Sequence, residues 1–286
     1  MVSDTGRRLK TYAGFVKLEH TVFSLPVVFA GTLLHTRGGL SARLAALILV
    51  AATAGRVLAM GLNRLIDADI DARNPRTLAR ELPRGAMRRG EAWAILAVSG
   101  LVYLASAWAL APICLWLSPI PVALFVIYPY LKRFTALAHV GLGLAWSTAP
   151  VGGWLAASRS LAGFDEVVWL WLFSLLWVAG FDIIYATMDE AFDREVGLRS
   201  LPAVWGRRNA LLTAAGLHGM AFGVLCNAWQ NELHTPAALA WLAAMGALFV
   251  WQHSVAERKP EFAFFRLNGL IGFLVIGFVW SGIRSR

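Results

Sequence analysis

Cysteine and charged residues are scarce in this sequence of 286 residues. The two cysteines, Cys114 and Cys226, stand alone in apolar runs. The sequence therefore offers neither a disulfide framework nor a thiolate metal site. Charged residues make up 15% of the chain and hydrophobic residues 58%, whereas a soluble domain is roughly a quarter charged. This shortage of charge excludes an ordinary soluble domain.

Apolar stretches long enough to span a bilayer recur from one end of the chain to the other, which predicts an all-α, multi-pass membrane protein. The first ten residues, MVSDTGRRLK, are polar, so we expect no cleavable signal peptide. The connections are short, which predicts one bundle over residues 1–286 with no separate soluble domain. The nine predicted transmembrane helices are approximately 13–35, 42–70, 91–110, 113–131, 136–157, 167–188, 209–228, 236–254 and 264–283.

Lysine and arginine are distributed unevenly over the predicted loops. The side that carries the N-terminus holds nineteen of them and the opposite side five. Because positive residues are retained in the cytoplasm, the N-terminus and the loops on its side are predicted to be cytoplasmic. The net charge of +9 is therefore largely a topological signal, and we expect no nucleic-acid partner.

A weak internal repeat relates the two halves of the chain. Asp67 and Asp71 recur as Asp189 and Asp193, each 122 positions later. Both copies open toward the same side, so the predicted repeat is parallel rather than inverted. The two predicted four-helix units cover about 13–131 and 136–254, and a last helix follows at about 264–283.

The first polar constellation follows the apolar run of the second predicted helix, in the segment NRLIDADIDARNPRT. Its members are spaced by 7, 4 and 4 positions and are Arg56, Asn63, Asp67 and Asp71. At about 3.6 residues per turn, these positions share one face of a helix. That face carries a cation deep in the apolar run, then an amide, then two carboxylates, while Asp69 points elsewhere.

The sixth predicted helix repeats this design. Its polar residues are spaced by 3, 4 and 4 positions and are Asp182, Tyr185, Asp189 and Asp193. Asp182 follows the apolar run LWLFSLLWVAGF and is predicted to lie within the membrane. A carboxylate inside the bilayer is costly, and this marks a functional site.

Two carboxylate-bearing faces at the same depth repel each other unless a cation lies between them. Oxygen ligands suit Mg²⁺, which is often shared with the phosphates of a substrate. Basic residues nearby would complete a diphosphate site, because arginine forks and lysine point charges hold phosphate oxygens. These basic residues are Arg73, Arg76, Lys132 and Arg133. The sequence therefore predicts a magnesium–diphosphate site whose apolar helices hold an attached hydrocarbon.

Three segments of this sequence resemble motifs of the UbiA superfamily of intramembrane prenyltransferases, and the resemblance extends over nearly the whole chain. The resembling residues are Asn63-x3-Asp67-x3-Asp71 followed by Asn74-x-Arg76-Thr77-x-x-Arg80, then Tyr128-Pro129-x-x-Lys132-Arg133-x-Thr135, then Asp182-x-x-Tyr185-Ala186-x-x-Asp189-x-x-x-Asp193. Two departures stand out. Arg64 occupies a position where the family often has aspartate, and His139 occupies one where glutamine is common in hydroxybenzoate enzymes.

The resemblance implies a nine-helix bundle with a central cavity open to the cytoplasm and laterally to lipid. It also implies a prenyl diphosphate held through Mg²⁺, an allylic carbocation after loss of diphosphate, and attack by an electron-rich acceptor. The residues implied at the metal are Asn63, Asp67, Asp71, Asp189 and Asp193; at the diphosphate Lys132, Arg76 and Lys17; at the acceptor carboxylate Arg56. Asp182 and Tyr185 match the reacting cavity, and their division of roles is open. His139 is a candidate on the acceptor side or an ordinary helix histidine.

The function predicted from these residues is prenylation of a hydroxylated aromatic carboxylate in quinone biosynthesis, by an enzyme of the bacterial inner membrane. The acceptor is 4-hydroxybenzoate or a dihydroxynaphthoate, and Arg56 suits either. The alternatives are the same chemistry on haem, chlorophyllide or a glycerol-phosphate lipid, and, from another class, a membrane transporter. The aromatic segment at 262–265 is expected to be only an interfacial anchor.

Overall fold

All regular structure is helical in the computed structural model, which describes residues 4–17 and 21–283. The helices are α1 (Asp4–Val16), α2 (Thr21–Thr36), α3 (Ala42–Ile66), α4 (Ala68–Asp71), α5 (Arg89–Leu110), α6 (Pro112–Leu117), α7 (Pro119–Leu131), α8 (Ala138–Ser158), α9 (Asp165–Ala186), α10 (Glu190–Glu195), α11 (Leu201–Trp205), α12 (Arg207–Asn231), α13 (Pro236–Ala256), α14 (Pro260–Phe262), a π-helical turn (Ala263–Leu267) and α15 (Asn268–Ile283).

Seven helical segments of the described chain are long and apolar enough to cross a membrane. This count joins α6 to α7, and α14 and the π-helical turn to α15. The predicted all-α membrane class is confirmed. The count of nine spans stays a prediction, because α2 and α8 are not among these seven.

The first predicted helix, 13–35, is wrong as a single element. The helix α1 ends at Val16, and Lys17 has a φ of 48°, in the left-handed region that stops a helix of L-residues. The helix α2 begins at Thr21, and residues 18–20 lie outside the described part.

The predicted helix 113–131 is divided at Ser118. The Ser118 hydroxyl donates to the Leu115 carbonyl oxygen at 2.7 Å, and Pro119 then opens α7 at its first helical position, where its missing N–H costs nothing.

Each acidic motif interrupts its long helix at an aspartate. Asp67 caps α3 with φ −93° and ψ 2°, and Asp189 precedes α10 with φ −106° and ψ 4°. The backbone N–H of Asp71 donates to the carbonyl oxygen of Asp67 at 2.8 Å, and the backbone N–H of Asp193 donates to that of Asp189 at 2.8 Å. The predicted helix 42–70 is therefore a long helix, a kink and a short helix, whereas the predicted helix 167–188 coincides with most of α9 and the short helix α10 follows it. The helical hydrogen bonding across the kink keeps the two aspartates of each motif one turn apart.

The helix α9, which carries Asp182, lies at the centre of the bundle. Its Phe173 and Trp177 are buried, and it packs against α8 and α12. Next to it, α2 and α8 approach closely, because a Cβ on Gly153 would overlap the Val28 carbonyl oxygen. Thr32 also donates to the Gly153 carbonyl oxygen at 3.0 Å. Small residues permit such close packing in membranes, and the contact fixes α2 and α8 relative to each other.

Large apolar side chains cover the outer helices. Trp108 and Trp116 are 71% and 80% exposed, which suits a surface that faces lipid rather than water.

Candidate active site

A cavity of about 380 Å³ opens between the two acidic motifs. It is lined by α3, α7, α8, α9, the loops that follow α3 and α9, and the π-helical turn. The predicted site residues on its wall are Lys17, Arg56, Asn63, Asp67, Asp71, Arg76, Lys132, His139, Asp182, Tyr185, Asp189 and Asp193. Residues separated by more than 170 positions thus share one cavity.

Two predicted diphosphate residues do not line this cavity. Arg73 is exposed on the loop after α4. Arg133 donates to the carbonyl oxygen of Ile66 at 3.0 Å and lies over the Tyr130 ring, 4.8 Å from its centroid. This arginine therefore caps the carboxyl end of α3, where a cation favours the helix dipole.

The first motif centres on Asp67, which is 3% exposed. Lys132 Nζ donates to its Oδ2 at 2.6 Å, and Asn63 Nδ2 approaches the same oxygen at 3.4 Å. Its Oδ1 accepts no hydrogen bond from any described residue, although Arg133 lies 3.7 Å away. One oxygen of this carboxylate is thus buried without a hydrogen-bond partner among the described residues.

Asp71 is held by a cation from its own loop. Arg80 donates to its Oδ2 at 2.7 Å, and the Thr77 hydroxyl donates to its backbone oxygen at 3.0 Å. Arg64, the departure from the family pattern, pairs with Glu81 of the same loop. The loop after α4 is therefore folded back on the first motif, and this role of Arg80 was not predicted from the sequence.

The two motifs are joined through Asp189. Asn74 Nδ2 donates to Asp189 Oδ1 at 2.7 Å, and Arg76 Nε donates to the same oxygen at 2.8 Å. The guanidinium of Arg76 also reaches Asp189 Oδ2. The backbone N–H of Arg76 donates to Asn74 Oδ1 at 2.9 Å, which orients the amide. Asn74 belongs to the quoted motif, yet its spacing alone gave no sign of this contact.

Burial disfavours the charged form of two carboxylates at the mouth of the cavity. Burial raises the pKa of Asp67 although Lys132 opposes the shift. Burial also raises the pKa of Asp193, and the negative charge of Asp189 adds to the shift. Burial alone would lower the pKa of Arg76, but its hydrogen bonds to Asp189 raise it. A further cation among these aspartates would therefore be stabilised.

His139 and Asp182 form a hydrogen-bonded pair deeper in the cavity. His139 Nδ1 lies 2.7 Å from Asp182 Oδ2, and its Nε2 accepts the backbone N–H of Leu201 at 3.2 Å. Since Nε2 accepts, the proton of a neutral ring lies on Nδ1, which donates to the carboxylate. Both nitrogens of His139 are engaged by the chain, so direct contact with an acceptor would require one of these bonds to open.

Tyr185 stands between the charged mouth and an aromatic wall. Its hydroxyl accepts from Arg76 at 2.5 Å, and the same guanidinium lies 4.7 Å from its ring centroid. Phe264 and Phe265 pack on the other side, with ring centroids at 4.3 and 6.0 Å. The expectation that these two phenylalanines are only interfacial anchors is wrong, because the π-helical turn directs both into the cavity.

Arg56 is the cation at the inner end of the cavity. It is two helical turns from Asn63 on the same face of α3, and its Nε is buried without an acceptor among the described residues. No carboxylate of the described chain forms an ion pair with it. A guanidinium whose Nε is buried without an acceptor, and which has no carboxylate partner, is suited to an anionic ligand.

Among the residues that the structure describes, no three His, Cys, Asp or Glu side chains are grouped closely enough to hold a metal on their own. Instead, Asp67 of the first motif pairs with Lys132, and Asp189 of the second motif pairs with Arg76. The arrangement is a polar mouth with paired carboxylates and cations, followed by an aromatic and apolar interior.

The sequence matches known proteins over most of its length. The model of the UbiA prenyltransferase family matches residues 24–278. A 4-hydroxybenzoate octaprenyltransferase of Coxiella burnetii is 29% identical over 245 residues, which cover 84% of this chain and 83% of that protein.

Two solved structures share the fold. The apo structure of a UbiA homologue from Aeropyrum pernix K1 has a TM-score of 0.84 and 34% identity, and the match covers 90% of this chain and 96% of that one. A UbiA homologue from Archaeoglobus fulgidus, bound to GPP and Mg²⁺, has a TM-score of 0.74 at 18% identity, covering 96% and 99%.

Proposed function

The chain belongs to the UbiA prenyltransferase family, and we propose that it transfers a polyprenyl group from a polyprenyl diphosphate to a hydroxylated aromatic carboxylate in quinone biosynthesis. Family membership makes the chain a prenyltransferase and removes the transporter alternative. The observation that carries the acceptor class is Arg56, whose half-buried guanidinium lies at the inner end of the cavity without a carboxylate partner among the described residues.

The residues at the mouth fit Mg²⁺ shared with a diphosphate. Mg²⁺ takes one or two carboxylates together with waters and phosphate oxygens rather than a cage made only of protein ligands. The mouth supplies such oxygens from Asp67, Asp71, Asp189 and Asp193, with the amide of Asn63 beside the first. The buried Oδ1 of Asp67 lacks a hydrogen-bond partner among the described residues, and burial raises the pKa of this carboxyl. Both features favour an added cation. Bound there, Mg²⁺ would neutralise the charge that develops on the leaving diphosphate.

Lys132 and Arg76 would hold the diphosphate and stabilise its departure. In the present arrangement both cations are paired with aspartates, Lys132 with Asp67 and Arg76 with Asp189. A diphosphate offers them competing oxygens, and cations preorganised at a leaving group lower the barrier without later reorganisation. Lys17 lines the same mouth and would add a third positive charge.

Arg56 would hold the carboxylate of the acceptor and thereby orient its ring. The ring then lies between Arg56 and the diphosphate, in the part of the cavity lined by Tyr128, Asp182 and Tyr185. Loss of diphosphate leaves an allylic carbocation, which the ring carbon beside the hydroxyl attacks to form the new carbon–carbon bond. The Arg76 guanidinium now lies over the Tyr185 ring. When Arg76 turns to the diphosphate, this electron-rich face would become available to stabilise the cation.

The ring carbon that forms this bond must then lose its proton to restore aromaticity. Asp182 is the carboxylate deepest in the cavity wall, and His139 holds one of its oxygens from behind. Its other oxygen is available to take the proton. His139 cannot relay that proton while its Nε2 accepts the Leu201 amide, so it acts as a positioning residue.

The proposed function is tested by competition between acceptors. The purified protein in detergent receives Mg²⁺, a prenyl diphosphate of mixed chain length, and equimolar 4-hydroxybenzoate and dihydroxynaphthoate, and the products are identified by mass. We expect a prenylated aromatic acid. A prenylated hydroxybenzoate would match the Coxiella burnetii relative and place the enzyme in ubiquinone synthesis, and a naphthoate product would place it in menaquinone synthesis. Absence of both, with product from haem, chlorophyllide or a glycerol-phosphate lipid, would overturn the acceptor class.

We expect Arg56→Ala to raise the KM for the acceptor by about 10- to 100-fold, because a hydrogen bond to a charged group contributes about 1.5–3 kcal/mol. The KM for the prenyl diphosphate should change little, since the diphosphate lies at the other end of the cavity. Steady-state kinetics with each substrate varied in turn measure both values.

Arg43→Ala is the matched control for this change, because Arg43 is exposed near the start of the same helix. It should leave both KM values unaltered. An unchanged acceptor KM in Arg56→Ala would contradict the assignment and move the carboxylate site elsewhere in the cavity.

We also propose that the mouth faces the cytoplasm of a bacterial cell, in its inner membrane. The mouth residues Lys17, Arg76, Lys132 and Asp189 come from the N-terminal segment and from loops on the side with nineteen basic residues. The positive-inside rule favours a cytoplasmic position for that side. The charged ends of the diphosphate donor and of the aromatic acid would then reach the mouth from water.

A further inference from the structure

Five aromatic side chains form one continuous cluster on the wall of the cavity, where α9 meets the π-helical turn. They are Trp177, Phe181, Tyr185, Phe264 and Phe265, and we refer to them as the ring cluster. Trp177, Phe181 and Tyr185 are spaced by four positions and share one face of α9. The Phe264 ring lies against two of them, with its centroid 5.3 Å from that of Phe181 and 4.3 Å from that of Tyr185. The π-helical turn therefore completes this part of the wall.

The position of Phe264 and Phe265 depends on a backbone that departs from the α-helix. The π-helical turn Ala263–Leu267 directly precedes α15. Such a turn bonds a carbonyl oxygen to the amide five residues later instead of four, and it thereby accommodates an extra residue. A regular helix would carry the two phenylalanines around the axis and away from Tyr185, since each residue advances about 100°. The shifted hydrogen bonding leaves carbonyl oxygens that must find other donors when they are buried.

Two buried side-chain amides supply these donors. Asn268 Nδ2 donates to the Phe264 carbonyl oxygen at 2.9 Å. Gln252 Nε2 donates to the Ala263 carbonyl oxygen at 3.1 Å. Asn268 Oδ1 in turn accepts from Gln252 Nε2 at 3.1 Å and from Trp177 Nε1 at 2.9 Å. These bonds connect α9, α13 and the turn.

The position of Gln252 shows that its role lies in the turn and not at the cavity surface. Gln252 is 0% exposed and does not line the cavity. Its Oε1 accepts no hydrogen bond from the described residues. A buried amide is costly unless its hydrogen bonds are made. The N–H groups of this amide are therefore the part that the fold uses, and they are spent on the turn and on Asn268.

We propose, on the basis of the prenyl transfer described above, that Asn268 and Gln252 are positioning residues that hold the π-helical turn, and that the ring cluster they complete keeps water from the allylic cation. The cation forms beside Tyr185, at the border between the polar mouth and the apolar interior. A water molecule within reach would form a carbon–oxygen bond with the cation and lose one proton to solvent. The product would be a prenyl alcohol in place of the prenylated acid. Exclusion of water from a reacting site suppresses side reactions of this kind.

Phe264 serves this purpose in two ways. It packs against the Tyr185 ring, whose face also lies under the Arg76 guanidinium, so it holds that ring in place. It also fills the contact between α9 and the π-helical turn. Apolar rings offer water no hydrogen bond, and a space lined only by such groups stays dry. Displacement of the turn would therefore admit water beside Tyr185.

The test compares two products formed from the same donor. Gln252→Met removes both donated hydrogen bonds and keeps a side chain of similar length. Phe264→Ala leaves the buried amides in place and opens the ring cluster directly. Gln230→Met is the matched control, because Gln230 is exposed on α12 and lies outside the cavity. Each protein receives saturating donor, Mg²⁺ and one aromatic acceptor. Prenylated acid and prenyl alcohol are quantified by mass, and diphosphate release is followed on the same samples.

We expect the ratio of prenyl alcohol to prenylated acid to rise about 10-fold in Gln252→Met and in Phe264→Ala. A barrier difference equal to one buried hydrogen bond shifts two competing rates by roughly that factor. Diphosphate release should change much less, because the groups that bind the diphosphate are untouched. In water enriched in heavy oxygen, the label should enter the alcohol, since water attacks carbon. Gln230→Met should give the wild-type ratio. A shift in product ratio at nearly constant donor cleavage is not expected from a general loss of folded protein.

Three results would overturn the proposal. An unchanged ratio in Phe264→Ala would mean that the ring cluster does not control water. A raised ratio in Phe264→Ala but not in Gln252→Met would remove the positioning role of the amides. Heavy oxygen in the released phosphates instead of the alcohol would mean hydrolysis of the donor without a cation.

The elution profile in detergent reports whether Gln252→Met is folded. If it is not, Asn268→Asp takes its place, because aspartate keeps the size of the side chain and both accepted hydrogen bonds but cannot donate to the Phe264 carbonyl oxygen. The same rise in the product ratio is expected, and an unchanged ratio would overturn the positioning role. Failure of the proposed function is distinguishable from all these results, since the wild type would then form no prenylated aromatic acid.

Discussion

Asp67→Ala and Asp189→Ala are each expected to reduce kcat by at least 10²–10³-fold, the loss seen when one preorganised group that stabilises transition-state charge is removed. Asp67 presents a buried oxygen without a hydrogen-bond partner in the described chain, and Asp189 joins the second motif to Asn74 and Arg76 of the first. Loss of either carboxylate would leave the leaving diphosphate with an incomplete cation site. Diphosphate release at saturating donor, acceptor and Mg²⁺ is the measurement.

Asp69→Ala is the matched control for these two variants. Asp69 lies in the same acidic segment, but its side chain is 84% exposed and pairs with Arg89 outside the cavity. We expect near-normal turnover from this variant. Removal of Asp67 also leaves Lys132 without its partner. Asp67→Asn removes the charge but keeps the size of the side chain, and the elution profile in detergent reports whether each variant is still folded. Near-normal turnover in Asp67→Ala or Asp189→Ala would remove the metal–diphosphate interpretation.

Helical periodicity predicted much of the candidate site because each acidic motif is local in sequence. Positions spaced by 3, 4 and 7 residues share a face, and the hydrogen bonds across the kinks at Asp67 and Asp189 preserve that relation although each helix is interrupted. The depth of Arg56 and Asp182 in apolar runs likewise indicated their place inside the bundle. The chemical roles of these residues stay predictions until the variants are measured.

Contacts between distant segments could not be predicted in the same way. The bonds from Asn74 and Arg76 to Asp189 depend on how the loop after α4 folds across the cavity. Spacing could not show that Arg133 turns to cap α3 while its neighbour Lys132 faces Asp67.

The aromatic segment at the start of the last helix was misjudged for a related reason. Apolar residues at a predicted membrane boundary usually indicate an interfacial anchor. A π-helical turn rotates the side chains that follow it, and such turns are frequent at functional sites. In this protein the turn is held by Asn268, which donates to the Phe264 carbonyl oxygen at 2.9 Å and accepts from Trp177 and Gln252. A buried polar residue in an apolar run was thus the available signal.

Asp182→Asn is expected to lower the rate of carbon–carbon product formation by roughly 10²–10⁴-fold, the usual contribution of a positioned general base. The amide keeps the size of the side chain but cannot take the ring proton. Cleavage of the donor does not require this proton transfer, so slow release of diphosphate in the absence of acceptor should persist at the wild-type rate. Product analysis by mass and a diphosphate assay on the same samples measure the two steps separately.

A ring-deuterated acceptor tests the assignment further. If Asp182 takes the proton, its replacement makes proton loss the slow step, and the isotope effect on product formation should become larger than in the wild type. His139→Gln, which can still donate to Asp182, should retain more activity than His139→Phe, which cannot, and the isotope effect should rise only in the latter. Asp165→Asn, at the exposed start of the same helix α9, should behave as the wild type. If Asp182→Asn lost donor cleavage and product formation equally, with an unchanged isotope effect, this carboxylate would belong to the diphosphate site instead, and another group would have to take the proton.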